Sequence, residues 1–222
     1  MDGYEVIFAG SNFVRLLLGL WVTIRISLIS IGFSLVLGFI MGTAMTGQSR
    51  LVRSLCRVYL EAVRIVPQLV WLFIIYFGIT RLTGLNLSGE AASVIVFTIW
   101  GTAETADLVR GAFGSIPIHQ FESGASLALS RIQVYIYVIM PQALKHLLPN
   151  IINLSTRMIK TTALISLIGV TEVLKVGKQI IDANRYEAPD AALWVYGVIF
   201  LMYFVVCFPL SLLSRKLTER KG

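Results

Sequence analysis

The chain has 222 residues, of which 56% are hydrophobic and only 14% are charged, with a net charge of +7 and a mean hydropathy of +0.79. Soluble domains carry roughly 25% charged residues, so this composition excludes an ordinary soluble enzyme. The positive charge lies at the ends of apolar runs, as it does in membrane-protein loops, and therefore predicts contact with membrane lipid and not with nucleic acid.

Five apolar stretches are predicted to be transmembrane helices, since a span needs about 20 residues. They cover approximately residues 19–46, 60–81, 88–109, 147–170 and 191–214 of a single domain, 1–222. The first and last contain long charge-free runs, whereas the middle three carry charges, which insertion scales penalise by about 2.5–3.5 kcal/mol each. The middle three are therefore expected to form the interior of an all-α bundle.

The basic residues predict the orientation of these spans. If the N-terminus lies outside, the side of the C-terminus receives the larger basic group: Arg50, Arg53, Arg57, Arg110, Arg131, Lys145, Arg215, Lys216, Arg220 and Lys221. The positive-inside rule then places the N-terminus outside and the C-terminus in the cytoplasm. The acidic start of the sequence lacks a basic n-region, so no cleaved signal peptide is expected.

The longest cytoplasmic segment in this arrangement is the loop of residues 110–146, between the third and fourth spans. Ser115 and Pro117 are typical of a helix start and predict a short helix over about 116–130. A second helical piece is expected to end at Pro141. A lone five-helix unit without an internal repeat does not easily enclose a pathway, so a second membrane subunit is implied.

This loop carries a spaced motif. Membrane subunits of binding-protein-dependent ABC importers share Glu-Ala-Ala, three residues, Gly, nine residues, Ile, one residue and Leu-Pro. At the same spacing the chain has Glu122-Ser123-Gly124, Ala128, Val138 and Met140-Pro141. The spacing is retained throughout although several identities differ, and the chain therefore resembles this family.

Further matches resemble the polar amino-acid branch of these permeases. That branch has Glu, two residues and Arg-Gly-Thr-Pro in the second span, and Ala-Glu-Ile-x-Arg-Gly at the end of the third. The chain has Glu61-Ala62-Val63-Arg64-Ile65-Val66-Pro67 and Ala106-Asp107-Leu108-Val109-Arg110-Gly111. The branch's Lys-Asp-Thr-Ser-Leu corresponds to Lys160-Thr161-Thr162-Ala163-Leu164. Trp71 departs from the branch, which often has Gln at that position.

The resemblance implies coupling to a separate ATPase through the loop. The residues carried over to that role are Glu122, Ser123, Gly124, Ala128 and Pro141. The small residues would let the helix approach a partner closely, and Glu122 would pair with a basic group, either Arg131 or one on the partner. No phosphate-binding Gly-Lys-Ser/Thr motif is present, since Gly177-Lys178 is followed by Gln179. ATP and Mg²⁺ are therefore expected on the partner, with no catalytic residue, metal or cofactor in this chain.

The candidate substrate path consists of polar residues inside the predicted spans, namely Glu104, Arg157, Lys160, Thr161 and Thr162. Glu104 stands where the branch often has an aromatic residue, and a carboxylate there could receive an ammonium group. Arg157 and Lys160 share a helix face, roughly 15–20 Å into the membrane. The alternative is a salt-bridge network that only locks helices together, for instance Lys160 with Glu104. Thr161 and Thr162 are expected to bond back to their own helix, and Asp107 to pair with Arg110.

These patterns predict the transmembrane subunit of an ATP-driven importer that moves a polar amino acid across the bacterial inner membrane by alternating access. The implied partners are two ATP-binding subunits, a second permease chain that is either identical or similar, and an extracytoplasmic solute-binding protein. The main alternative is an ion-coupled secondary amino-acid transporter. An intramembrane enzyme is disfavoured because neither His119 nor His146 lies in a predicted span. The choice among glutamine, glutamate and the basic amino acids stays open.

Overall fold

The computed structural model describes residues 2–84 and 86–219, and these form helices and short connections without a β-strand. Arg220 and Lys221, which contribute to the predicted charge asymmetry, lie outside the described residues. The helices are α1 Glu5–Phe8, α2 Asn12–Thr46, α3 Arg50–Ile65, α4 Gln68–Thr83, α5 Gly89–Gly114, α6 Ile118–Ser126, α7 Arg131–Ile168, α8 Val173–Ala183 and α9 Ala191–Glu219. The predicted all-α class is confirmed.

Long apolar helices account for the predicted spans. Within the described part of the chain, α2, α5, α7 and α9 are each long and apolar enough to cross a membrane. The pair α3 and α4 makes a fifth if it is counted as one span, which agrees with the expected number. The helices begin or end several residues beyond the predicted span limits, because a helix can continue past the hydrocarbon as long as its backbone stays hydrogen-bonded.

The stretch predicted as one span over 60–81 differs from this expectation because the helix is interrupted at Val66 and Pro67. Val66 has an extended backbone, with φ −80° and ψ 127°. A proline disfavours the α conformation in the residue before it, and its missing N–H removes a helical hydrogen bond. Arg64 therefore lies in the last turn of α3, directly before the break.

The loop of residues 110–146 is more helical than expected. The predicted helix over 116–130 is present but shorter, as α6, and α7 begins at a capping box formed by Ser130 and Gln133. The prediction that a helical piece ends at Pro141 is wrong, because α7 continues through this residue. A wider π-helical turn, Val134–Ile139, ends two residues before Pro141 and accommodates the ring that a regular turn would exclude.

Helix α8 has no counterpart among the predicted elements. The end of α7 tightens into a 3-10 helix, Thr162–Ile168, and Gly169 terminates it with a positive φ of 89°. Glu172 then caps the N-terminus of α8 through its side chain. The apolar residues of α8 are too few for a span, so only their helical spacing indicates this element.

Two compact units divide the described residues. The first unit comprises the described residues of Met1–Ser30, Pro67–Phe97 and Thr156–Pro209, and the second those of Ile31–Val66, Thr98–Ser155 and Leu210–Gly222. The core of the first unit includes Leu16, Val173, Ile180, Val195 and Ile199. The second unit has one core around Val109 and Leu147 and another around Ile116, Val134 and Ile139.

Candidate functional site

Four charged side chains form a connected network in the second unit. Arg64 on α3 donates from Nε to Glu104 Oε1 at 3.1 Å and from Nη2 to Asp107 Oδ2 at 2.9 Å. Arg110 Nη2 donates to Asp107 Oδ1 at 2.6 Å. The two cations and two anions cancel, so a group of charges that lipid would exclude is neutral as a whole.

Small residues on α2 hold α5 in position behind this network. Ser34, Gly38 and Gly42 repeat every four residues, and all three are buried. The Ser34 hydroxyl donates to the Thr98 carbonyl at 3.4 Å, and a Cβ atom built on Gly42 would lie 2.6 Å from the Ala106 carbonyl oxygen. The absence of side chains lets the two backbones approach closely, as small residues at this spacing do in membrane helices.

Helix α3 also contacts α5 in the second unit. The Tyr59 hydroxyl donates to the Ile99 carbonyl at 2.8 Å, and Arg64, further along the same helix, reaches the two acids. The side chains of Arg64, Glu104 and Asp107 are 37%, 15% and 28% exposed. Because hydrocarbon penalises charge, this partly open face is expected to meet water or protein and not lipid tails.

The network changes the interpretation of Glu104. The sequence identifies Glu104 as a candidate receptor for an ammonium group, and the structure gives it the guanidinium of Arg64 as a partner. The expected pairing of Asp107 with Arg110 is confirmed. The sequence motif assigns Arg64 no role, and the signal that could have identified it is a cation inside one predicted span with two acids, Glu104 and Asp107, inside the next.

The remaining path candidates lie on α7, in the first unit. Arg157 and Lys160 are both exposed. Thr161 Oγ1 donates to the Arg157 carbonyl at 2.8 Å, and Thr162 Oγ1 donates to the Ile159 carbonyl at 2.6 Å. The expected bonding of both threonines to their own helix is therefore confirmed, while a role of these four residues in the path stays a prediction.

The coupling candidates Glu122 and Ser123 are exposed on α6, and the buried Gly124 lies on the opposite side. A Cβ atom on Gly124 would lie 2.7 Å from Val134 Cγ2, so α6 packs tightly on the first turns of α7. Gln142 Nε2 donates to Gln120 Oε1 at 3.1 Å and adds a polar link between the two helices. The short helix is thus fixed to α7 through Gly124, while Glu122 and Ser123 face outward.

Two further coupling candidates have distinct geometry. Ala128 has φ 56°, the left-handed conformation that glycine adopts without cost, which explains why the motif has Gly at this position. Pro141 is exposed on α7. Within the described residues Glu122 makes no ion pair with Arg131, and its pairing with a cation of a partner chain stays a prediction.

Glu172 is a buried acid that sequence reasoning missed. Its side chain is fully buried and accepts from the backbone N–H groups of Leu174 at 2.9 Å and Lys175 at 2.8 Å. Burial raises the pKa of this carboxyl above its usual value, although these hydrogen bonds act in the opposite direction. A Cβ atom on Gly19 would lie 2.9 Å from Val173 N, so α2 packs directly on the start of α8.

The comparisons with known proteins cover nearly the whole chain. Residues 34–221 match the family model described as binding-protein-dependent transport system inner membrane component. The chain is 30% identical over 205 residues to a probable glutamine ABC transporter permease of Bacillus subtilis, covering 91% of this chain and 92% of the relative. It is 32% identical over 203 residues to the glutamine transport system permease of Escherichia coli K12, covering 91% and 90%. A Bacillus subtilis L-cystine permease is 29% identical over 202 residues, covering 91% and 84%.

Solved structures share the same fold. An amino acid ABC transporter, determined in a crystal structure with histidines, superposes with a TM-score of 0.85 at 25% identity, covering 96% of both chains. A chain of the methionine ABC transporter MetNI, in an inward-facing conformation, gives a TM-score of 0.74 at 19% identity, covering 94% of this chain and 99% of that chain. The second likeness supports the fold alone.

Proposed function

The chain belongs to the family of binding-protein-dependent transport system inner membrane components, and on this premise we propose that it carries a polar amino acid across the bacterial inner membrane. It is the multi-pass transmembrane subunit of an ABC importer. The observation that carries the choice of substrate is the similarity to two glutamine permeases over about nine-tenths of each chain. The rival reading, an ion-coupled secondary transporter, has no support from these relatives.

The exposed face of α6 is the proposed contact with an ATP-binding subunit. Glu122 lies on this face without an ion pair among the described residues, and the close contact of Gly124 with Val134 packs α6 tightly on the start of α7. A rigid short helix in a groove is a suitable device for transmitting the ATPase cycle. Two such ATPases, a second permease chain and a solute-binding protein complete the proposed importer, which works by alternating access.

The test is uptake of radiolabelled polar amino acids into proteoliposomes containing this subunit, its ATPase and its binding protein. We expect uptake to require ATP and to fall at least tenfold in Glu122→Arg, with loss of the ATPase from the purified complex. Glu219→Arg is the matched control, since it reverses another exposed acid, at the end of α9, and should transport normally. Uptake that needs no ATP and follows a proton gradient would instead support the secondary transporter.

A further inference from the structure

The charge network of the second unit has the chemistry of a site for a zwitterion. Arg64 uses Nε and one terminal nitrogen for its bonds to Glu104 and Asp107, and a guanidinium has five N–H donors in a planar fork. Asp107 has a second cation in Arg110, which holds this acid when Arg64 turns to another acceptor. Glu104 and Arg64 are therefore the two members that can exchange partners without leaving Asp107 unpaired.

We propose that Arg64 and Glu104 form a binding site for the α-amino and α-carboxylate groups of a neutral amino acid. The guanidinium takes the α-carboxylate in place of Glu104 and Asp107, and the Glu104 carboxylate takes the α-ammonium, so the two ion pairs of Arg64 open and two pairs with the ligand form. A planar guanidinium suits a carboxylate especially well because it binds both oxygens. This inference rests on the proposed function and names the substrate class of that path.

The charge balance decides between neutral and charged amino acids. Arg64, Arg110, Glu104 and Asp107 sum to zero, and the next two charges on the same face of α3, Arg57 and Glu61, also cancel. A neutral zwitterion such as glutamine leaves this sum unchanged. Arginine would add a positive charge and glutamate a negative one in a region where Glu104 is only 15% exposed, and such an uncompensated charge is costly.

The location fits a ligand that passes through the membrane. Glu104 lies ten residues before the end of α5, or about 15 Å at the helical rise of 1.5 Å per residue. Its partner Arg64 lies in the last turn of α3, just before the break at Val66 and Pro67. Glu104 thus lies well inside α5, and the partly exposed Arg64 leaves this face open to a ligand.

The experiment measures equilibrium binding of radiolabelled glutamine, glutamate and arginine to the purified permease–ATPase complex without the binding protein. We expect glutamine to bind wild type at least tenfold more tightly than the two charged amino acids, which corresponds to about 1.4 kcal/mol. Glu104→Gln gives the network a positive charge and should raise the ratio of glutamate to glutamine affinity. Arg64→Gln gives it a negative charge and should raise the ratio of arginine to glutamine affinity.

Two further variants keep the result interpretable. The double variant Arg64→Gln/Glu104→Gln restores neutrality and should return both ratios to wild type with weaker binding, even if a single variant assembles poorly. The matched controls are Arg25→Gln and Glu90→Gln, which break a separate ion pair of 2.5 Å in the first unit and should leave both ratios unchanged.

The inference is overturned if both affinity ratios stay within twofold of wild type in the two single variants, as expected for a network that only locks helices. Absence of saturable glutamine binding by the wild-type complex at millimolar concentration overturns it as well. Neither result touches the proposed function, which is tested separately by ATP-dependent uptake into proteoliposomes.

Discussion

Gly42 on α2 is the position where the packing behind the charge network can be tested most directly. An alanine there would place its methyl group 2.6 Å from the Ala106 carbonyl oxygen and 2.6 Å from Val109 Cβ. Ordinary contacts begin at 3.4 Å, so α2 and α5 would have to separate locally by about 0.8 Å, the difference between the two distances. Neither obstacle is the end of a flexible side chain that could turn away.

The magnitude follows from two opposing effects. Replacing glycine by alanine inside a helix stabilises it by about 0.5–1 kcal/mol, whereas overpacking a close contact costs about 1–3 kcal/mol. Gly32 on the same helix gives the matched control, because a Cβ atom there meets nothing within 4 Å. Gly42→Ala should therefore be less stable than Gly32→Ala by about 1–3 kcal/mol, the overpacking cost alone.

The assay is equilibrium unfolding of the purified chain in micelles by titration with sodium dodecyl sulfate, followed by tryptophan fluorescence. The variant should also lose uptake, since Asp107 directly follows Ala106 and would move away from Arg64. A free energy of unfolding for Gly42→Ala that equals or exceeds that of Gly32→Ala would refute the close approach of α2 and α5.

Two other predictions concern the coupling loop and the buried acid. Ala128→Gly should raise the free energy of unfolding by about 0.5–1 kcal/mol in the same titration. The left-handed φ of 56° strains alanine by about 1–2 kcal/mol, and the greater unfolded-chain entropy of glycine offsets part of the relief. An unchanged free energy of unfolding would mean that Ala128 does not keep this conformation in solution. For Glu172, burial raises the folded-state pKa above the usual 4.5. The stability that the protonated carboxyl contributes is therefore fully present below the usual pKa and is lost as pH rises through the folded-state pKa. The unfolding free energy should therefore rise less on acidification in Glu172→Gln than in wild type, and identical pH profiles would contradict the burial of this carboxyl.

Local chemistry accounts for what could be predicted of the fold. The apolar stretches identify membrane helices because the thickness of the hydrocarbon and the cost of charge act on each segment by itself. The short helix after Pro117 follows from its start residues, and the pairing of Asp107 with Arg110 follows from a spacing of three on one helix. The continuation of α7 through Pro141 was not predictable in this way, since it depends on a π-helical turn that no local pattern indicates.

The candidate site was likewise predictable only in part from the sequence. By itself the sequence determined the membrane class, the spaced motif at Glu122 and the presence of an unusual acid at Glu104. Only the tertiary structure decided that Arg64, 40 residues away along the chain, holds that acid, and that Glu172 is fully buried at the start of α8. The physical reason is that hydropathy and spacing fix which segments form helices, whereas the rotation of each helix about its axis, set by close contacts such as Gly42 on Ala106, decides which charges meet.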